Sequence, residues 1–268
     1  MSKTGDSRSQ SGVRLNKFLA RAGFGSRRSV EHLITGGKIA INGEVVKDLG
    51  RRVDEQRDQV TVDGVAAAAP TDYRVYAFHK PLNVVSTLKS QGGQPSLLPY
   101  RNQNDIPDRF MPVGRLDAET TGLLLWTDDG QLNQDLCQPR SALWKTYHVD
   151  LNEDFSKSVL KNLTTGKIEI DGRKVRPCQL EIRPNGTTRQ WLMRVHEGRR
   201  RQIRRMFRQV GLKVLQLHRT DVGPISLGLL RPGNFRRLTA PEVAELRDAI
   251  CAAQTTTKTK SGQHGPKG

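Results

Sequence analysis

Apolar residues recur at helical spacing near the amino terminus of the chain. Leu15, Phe18, Leu19 and Ala22 fall on one side of a helical turn pattern and predict a first helix. Ser26 is a suitable N-cap for a second helix, whose apolar positions repeat in the same way. The segment therefore begins with two short helices.

The pattern then changes from helical spacing to alternation. Residues 38–41 and 44–46 flank Asn42 and Gly43, which predicts a β-hairpin with a tight turn. Residues 59–64 add another short strand. We therefore expect residues 13–65 to form one small module of helices and strands.

Residues 73–252 show the same mixture over a greater length. Many short strands separated by tight turns indicate an α+β fold. Residues 89–108 are rich in Gly, Pro, Gln and Asn and predict a long loop. The predicted strands are 73–78, 84–87, 123–126, 145–149, 166–172, 180–182, 190–195 and 214–219, and the predicted helices are 131–138, 155–163, 203–210 and 241–252.

Three segments lack an apolar pattern. Residues 1–12 and 253–268 are dominated by small and polar side chains, so we predict two disordered tails, the second of them basic. Residues 66–72 contain four successive alanines and a proline and are predicted to link the two patterned regions.

The charge balance indicates a polyanionic partner. The 268 residues include 44 Lys and Arg against 27 Asp and Glu, a formal net charge of +17, which favours nucleic acid or an anionic membrane surface. No apolar run approaches the roughly 20 residues that cross a bilayer. The amino terminus has no apolar signal-peptide segment. We therefore expect a cytoplasmic protein without a membrane partner.

Cysteine and histidine usage indicates no metal site. Cys137, Cys178 and Cys251 are far apart in the sequence and match no zinc or disulfide framework. They are expected to be reduced thiols, and the six histidines lack metal-ligand spacing.

A second concentration of charge lies in residues 197–211. Ile203, Met206, Phe207 and Val210 occupy the i, i+3, i+4 and i+7 positions of one buried helix face. Arginines occupy much of the remaining surface and have no acidic residue beside them in the helix, so an anion is expected to dock there. The alternative is a solvated basic helix. The candidate nucleic-acid-binding residues here are Arg199, Arg201, Arg205 and Arg208.

A turn with an acidic residue lies before the most apolar strand. Gly114, Arg115, Leu116 and Asp117 precede the run Leu123–Trp126. An acid at the edge of a buried strand is a suitable catalytic group, although a turn carboxylate capped by Arg115 would have the same pattern.

This motif, together with Thr121–Leu124, resembles the catalytic motif of RNA pseudouridine synthases. The resemblance is to the branch with an S4 domain that acts on single uridines in bacterial ribosomal RNA. It implies that Asp117 is catalytic, that Tyr147 stacks on the target uracil and that Arg204 pairs with Asp117. It also implies that Ile203 packs beneath the base and that Arg115 fills the place vacated in the RNA.

Three further residues are compared with the family pattern. His79 stands before Lys80 and Pro81 where the family usually has Asn, and Lys80 is either a phosphate contact or an ordinary strand-end lysine. Some relatives have His or Asn at the position of Arg201, so no catalytic role is expected for that residue.

Residues 13–65 resemble the S4 RNA-binding domain. The similarity lies in the element order and in Arg14–Lys17 and Ser26–Arg28 beside the two helices. Basic residues on or near these helices can form one RNA-binding face, although a solvated surface would look the same. The residues concerned are Arg14, Lys17, Arg21, Arg27 and Arg28.

The two resemblances imply an S4-type domain followed by a catalytic domain with a mixed, mostly antiparallel sheet flanked by helices. The implied reaction breaks the N1–C1′ bond of a flipped-out uridine and joins C5 to C1′, which needs no cofactor. Asp117 would act as a nucleophile at C1′ or as a base at C2′. The expected substrate is ribosomal RNA or an assembling subunit, with 23S favoured over 16S RNA, and the expected enzyme is a monomer.

Two alternatives have other functions. A non-catalytic ribosome-assembly factor on the same fold would use the S4 module and the arginines but would not require Asp117, Tyr147 and Arg204. A DNA-binding protein would place the arginine-rich helix in a major groove and would leave Asp117 unexplained.

Overall fold

The computed structural model describes residues 12–261, apart from residues 69, 71, 90, 91 and 139–142. The chain divides into two compact units. The first comprises Met1–Tyr73 and Asp108–Phe110, and the second comprises Arg74–Pro107 and Met111–Gly268. No helix in the described part of the chain has the length and apolar character needed to cross a membrane.

The first unit packs two helices against small antiparallel sheets. Strands β1 and β4 pair with each other, and the other four strands form a sheet in the order β3-β2-β5-β6. Asn42 and Gly43 both have positive φ, as a type I′ hairpin turn requires. The described elements are β1 (Val13–Arg14), α1 (Leu15–Arg21), α2 (Ser29–Thr35), β2 (Ile39–Ile41), β3 (Glu44–Val45), β4 (Arg52–Val53), β5 (Val60–Val62) and β6 (Val65–Ala67).

The predicted linker and tails are partly corrected. Residues 66 and 67 pair with β5 as part of β6, because their small side chains suit an edge strand whose last residue, Ala67, is buried. The predicted linker positions 69 and 71 and the tail segments 1–11 and 262–268 lie outside the described residues.

The second unit is built on a mixed, mostly antiparallel sheet, so the predicted fold class is confirmed. Its strand order is β13-β14-β10-β15-β9-β7-β17, with β16 beside β15 and β8 beside β9, and only the β15–β9 pairing is parallel among these described strands. The elements are β7 (Val75–Lys80), α3 (Leu98–Gln103), β8 (Met111–Pro112), β9 (Thr121–Thr127), α4 (Gly130–Cys137), β10 (Lys145–Leu151), α5 (Lys157–Thr164), β11 (Glu169–Ile170), β12 (Arg173–Lys174), β13 (Gln179–Ile182), β14 (Gln190–Val195), α6 (Gln202–Gln209), β15 (Val214–Val222), β16 (Ile225–Ser226), β17 (Phe235–Arg237) and α7 (Ala240–Ser261).

Strand β9 is buried on both faces, which explains its continuous apolar run. Leu123 and Leu125 belong to a core cluster with residues of α4 and α7. On the other face the Trp126 ring lies edge-on to Phe78 and Phe235. Each fully buried side chain of this size stabilises the fold by about 1.5–3 kcal/mol, so β9 is a rigid support for the turn that precedes it.

Three predicted elements differ from the structure. Residues 84–87 form only an isolated bridge, Val85 with Ser96, and the side chain of Ser86 binds the backbone of Leu116. The predicted loop contains α3, which a proline in its first turn helps to start. Helix α7 continues to Ser261, since no glycine or proline interrupts residues 253–261.

Candidate active site

A cleft of about 1030 Å³ opens beside the turn that contains Asp117. Its lining brings together side chains from β8–β9, β10, α6 and β15 that are far apart in the sequence. Among the predicted site residues the lining includes Arg115, Asp117, Tyr147, Arg199, Arg201 and Ile203.

The turn itself is fixed by hydrogen bonds on both sides. The hydroxyl of Ser86 donates to the carbonyl of Leu116 at 2.6 Å and accepts from its N–H at 3.0 Å. The Thr120 N–H donates to the carbonyl of Asp117 at 3.0 Å. The half-buried carboxylate of Asp117 has no hydrogen bond or ion pair with any described side chain and is therefore available to a substrate.

Lys80 lies fully buried beneath the turn. It is therefore not at a surface that could bind phosphate, and the phosphate contact considered for it is wrong. Its ammonium donates to the carbonyls of Pro81 at 2.7 Å and Ala118 at 3.3 Å. Burial lowers the pKa of Lys80 to about 8, and the nearby charge of Asp117 opposes this shift. Lys80 thus tethers the residue that follows Asp117.

Arg204 does not form the predicted ion pair with Asp117. Its Nη1 donates to the carbonyl of Val214 and its Nη2 to the carbonyl of Glu119, both at 2.9 Å, and its Nε lies 3.6 Å from the Glu119 carboxylate. Burial lowers the pKa of Arg204, while Glu119 and, more weakly, Asp117 raise it. The guanidinium is occupied by backbone carbonyls, so it holds the Asp117 segment in place.

Tyr147 and Ile203 form an apolar part of the same cleft. Tyr147 belongs to β10 and is 7% exposed, and Ile203 belongs to the buried face of α6 and is 5% exposed. The Nη1 of Arg219 donates to the Tyr147 hydroxyl at 3.5 Å. These side chains offer a flat, largely dry surface on which a planar base can pack.

Two cleft cations were missed in the sequence. Arg219 is buried, and its Nε donates to the carbonyl of Leu123 at 2.7 Å. Burial and the charge of Arg219 lower the pKa of Lys145 to about 8, against smaller opposing effects of Cys137 and Glu197. The signal for Arg219 was its place two residues after Leu217 in an alternating strand, which puts both on one face.

Arg201, at the N-cap of α6, and Arg205, within it, are paired with acids from outside the helix, which corrects the expectation of a stripe without acidic partners. Arg201 lies 2.7 Å from the carboxylate of Glu119. Arg205 makes two hydrogen bonds to Asp171, at 2.9 and 2.6 Å. Arg208 is exposed on the last turn.

The basic face of the first unit is smaller than predicted. Arg14, Arg27 and Arg28 are exposed, and Lys17 is half-buried. Arg21 instead forms an ion pair with Glu55 at 2.9 Å and a hydrogen bond to the Tyr73 hydroxyl, so it does not belong to that face.

A family model described as RNA pseudouridylate synthase matches residues 74–209. The chain belongs to this family. A model of the S4 domain matches residues 13–60. The resemblances inferred from the Asp117 motif and from the amino-terminal helices are thus confirmed, and the synthase is an enzyme that isomerises uridine in RNA.

Individual relatives are similar in sequence to the synthase over most of its length. An uncharacterized RNA pseudouridine synthase of Aquifex aeolicus is 38% identical over 240 residues, 89% of this chain and 95% of the relative. Ribosomal large subunit pseudouridine synthase B of Bacillus subtilis is 36% identical over 239 residues, 87% of this chain and 95% of the relative. A solved structure described as pseudouridylate synthase has a TM-score of 0.62 at 29% identity and covers 88% of this chain and 100% of its own.

Proposed function

We propose that the synthase converts one uridine of large-subunit ribosomal RNA into pseudouridine, with Asp117 as the catalytic group. The observation that carries the assignment of Asp117 is its unengaged carboxylate, which lies in the cleft on a turn fixed from both sides. The choice of RNA is supported by the similarity to the large-subunit enzyme of Bacillus subtilis.

The charges around Asp117 suit a carboxylate that acts on a ribose. Lys80 and Arg204 both interact favourably with its negative charge. Asp117 then either attacks C1′, and is displaced when C5 bonds to C1′, or removes a proton from C2′ and returns it to C2′ once that bond has formed. The N1–C1′ bond breaks, C5 bonds to C1′, and the proton leaves C5 while N1 gains one, so the product is an isomer and no cofactor takes part.

The other cleft residues position the uridine. Tyr147 stacks on the flipped uracil and Ile203 packs beneath it, which offsets part of the few kcal/mol that base flipping costs. Arg115 is exposed beside Asp117 and fills the vacated place in the RNA. Arg204 acts as a positioning residue, because its hydrogen bonds hold the backbone after Asp117.

The domain boundaries and the setting of the enzyme belong to the same proposal. Residues 13–65 act as an S4-type RNA-binding domain, in which Arg14, Lys17, Arg27 and Arg28 contact phosphates, and residues 73–252 hold the catalytic machinery. The enzyme acts in the cytoplasm as a monomer, on ribosomal RNA or an assembling subunit.

The test is a map of pseudouridines in ribosomal RNA from cells that lack the synthase, by carbodiimide modification and primer extension. We expect one site in 23S RNA to be lost, restored by the wild type and not restored by Asp117→Asn. Equal restoration by both would remove Asp117 from catalysis. The absence of any lost site in the RNA of either subunit would direct the search to transfer RNA and then to an assembly role. A lost site in 16S RNA would contradict the proposed substrate but not the reaction.

A further inference from the structure

A short β-hairpin forms one wall of the cleft. Strands β11 and β12 pair with Glu169 opposite Lys174 and Ile170 opposite Arg173. Asp171 and Gly172 at the turn both have positive φ, as in a type I′ turn. The tip and the second strand line the same cleft as Asp117 and Tyr147. An isolated two-stranded hairpin has little stability of its own, so its position depends on other contacts.

Those contacts come from α6 and the residues just before it. Arg199 donates to three hairpin carbonyls, those of Ile170 at 3.3 Å, Arg173 at 2.9 Å and Lys174 at 2.8 Å. Arg205 binds the Asp171 carboxylate through two hydrogen bonds, and the side-chain amide of Gln209 donates to the carbonyl of Glu169 at 2.5 Å. The donors of these arginines are therefore used within the protein.

The basic residues of the second hairpin strand and of the segment just after it, here called the hairpin cations, make no comparable pairs among the described residues. Arg173, Lys174 and Arg176 are exposed, line the cleft, and have no ion pair with any side chain in the described part of the chain. Three like charges within four residues repel one another unless an anion lies between them. Their position beside a uridine-binding cleft indicates that this anion is the phosphate backbone.

We propose that the β11–β12 hairpin is the phosphate-binding wall of the cleft. Arg173, Lys174 and Arg176 contact the backbone of the RNA strand whose uridine enters the site. Arg199 and Arg205 hold the wall and make no RNA contact of their own. The inference rests on the proposed activity toward RNA but not on the identity of the target uridine.

The first experiment compares two charge-matched triple variants of the full chain. Arg173→Gln/Lys174→Gln/Arg176→Gln removes the hairpin cations. Lys157→Gln/Lys161→Gln/Lys213→Gln removes three exposed cations that lie outside the lining of the cleft. Turnover is followed on unmodified 23S ribosomal RNA transcribed in vitro. Affinity for the same RNA is measured against salt concentration in the Asp117→Asn background.

We expect the hairpin triple to raise KM by about tenfold or more with kcat within about twofold of the wild type. The slope of log affinity against log salt should fall by about 2, at about 0.7 for each lost single-strand phosphate contact. The control triple should change both quantities much less. Equal effects of the two triples, or an unchanged KM and salt slope in the hairpin triple, would overturn the proposal.

The second experiment separates holding the wall from binding RNA. Asp171→Asn removes a negative charge from the cleft, so simple electrostatics predicts tighter RNA binding. The proposed holding role predicts weaker binding, faster amide exchange in residues 169–174, and no further loss when Arg205→Gln is added. Tighter binding by Asp171→Asn, or additive losses, would contradict the role of Arg205.

Failure of this proposal and failure of the proposed function are distinguishable. Turnover and affinity are measured separately on the same RNA. Absence of wild-type turnover would contradict the proposed substrate, while the difference in salt slope between the two triples would still decide the role of the hairpin.

Discussion

At the scale of single residues, the cleft combines an unengaged carboxylate with cations that are partly withdrawn from water. Asp117 has no side-chain partner among the described residues, whereas Lys80, Lys145 and Arg219 are all substantially buried. Burial disfavours the charged form of a lysine, so the charge of the cleft depends on pH near neutrality. Arginine keeps its charge throughout this range.

A pH-dependent affinity is therefore expected. Lys145 is mostly protonated below its pKa of about 8 and mostly neutral above it. A neutral lysine attracts phosphate less, so the affinity of the wild type for RNA should fall as pH rises from 7 to 9. In Lys145→Arg the charge persists and the fall should be smaller, as equilibrium binding at fixed ionic strength would show. If the affinity of Lys145→Arg falls with pH as much as that of the wild type, another group causes the fall. Lys80 is one such group, because its pKa is similarly lowered.

At the scale of elements, the active turn depends on a close approach between β9 and β15. These strands form the parallel pair that places Arg219 beside Gly122. Gly122 has φ +105, and a Cβ there would overlap the carbonyl oxygen of Arg219 and lie 2.7 Å from its nitrogen. The glycine that follows Thr121 is thus explained by the packing of β9 against β15 as much as by turn geometry.

Gly122→Ala should accordingly destabilise the fold. Both the left-handed backbone and the backbone overlap oppose a methyl group, so we expect a loss of about 2 kcal/mol or more in the free energy of unfolding, measured by urea denaturation. Gly130→Ala is the matched control, because Gly130 begins α4 with nothing within 4 Å of the added carbon. It should be neutral or slightly stabilising. Similar losses in the two variants would show that the approach of β15 does not constrain Gly122.

At the scale of the whole molecule, the net charge of +17 does not show which basic residues are available to a partner. Several arginines that look available in the sequence are used internally, as Arg199, Arg205 and Arg21 show. Others, on the first unit and on the β11–β12 hairpin, remain exposed. A count of positive charges therefore indicates the class of partner but not the surface that binds it.

The first unit should contribute affinity without contributing to the chemical step. Arg14→Gln/Arg27→Gln/Arg28→Gln should weaken RNA binding and lower the salt slope by up to about 2, with kcat unchanged at saturating RNA. The comparison is Lys38→Gln/Lys47→Gln/Arg57→Gln, which removes three exposed cations that follow the two helices in the same unit. Filter binding and single-turnover assays measure the two effects. An equal loss in both variants would indicate a general charge effect.

The sequence by itself determined the features that depend on local chemistry. The Asp117 turn before an apolar run, the apolar face of α6, the Asn42-Gly43 hairpin and the strand with Tyr147 all follow from short-range patterns, because periodicity and turn propensity act over a few residues. The family match confirmed the function that the resemblance implied.

Only the tertiary structure decided which charges are available. Glu119 and Asp171 neutralise arginines that lie 82 and 34 residues away in the chain. Lys80 was a candidate phosphate contact or an ordinary strand-end lysine by sequence, and it is buried under the Asp117 turn. Sheet pairing brings Arg219 to the cleft, and the contacts of Arg199 and Arg205 with the hairpin bring the hairpin cations there. Ion pairing and burial act through space, so a local pattern cannot specify them.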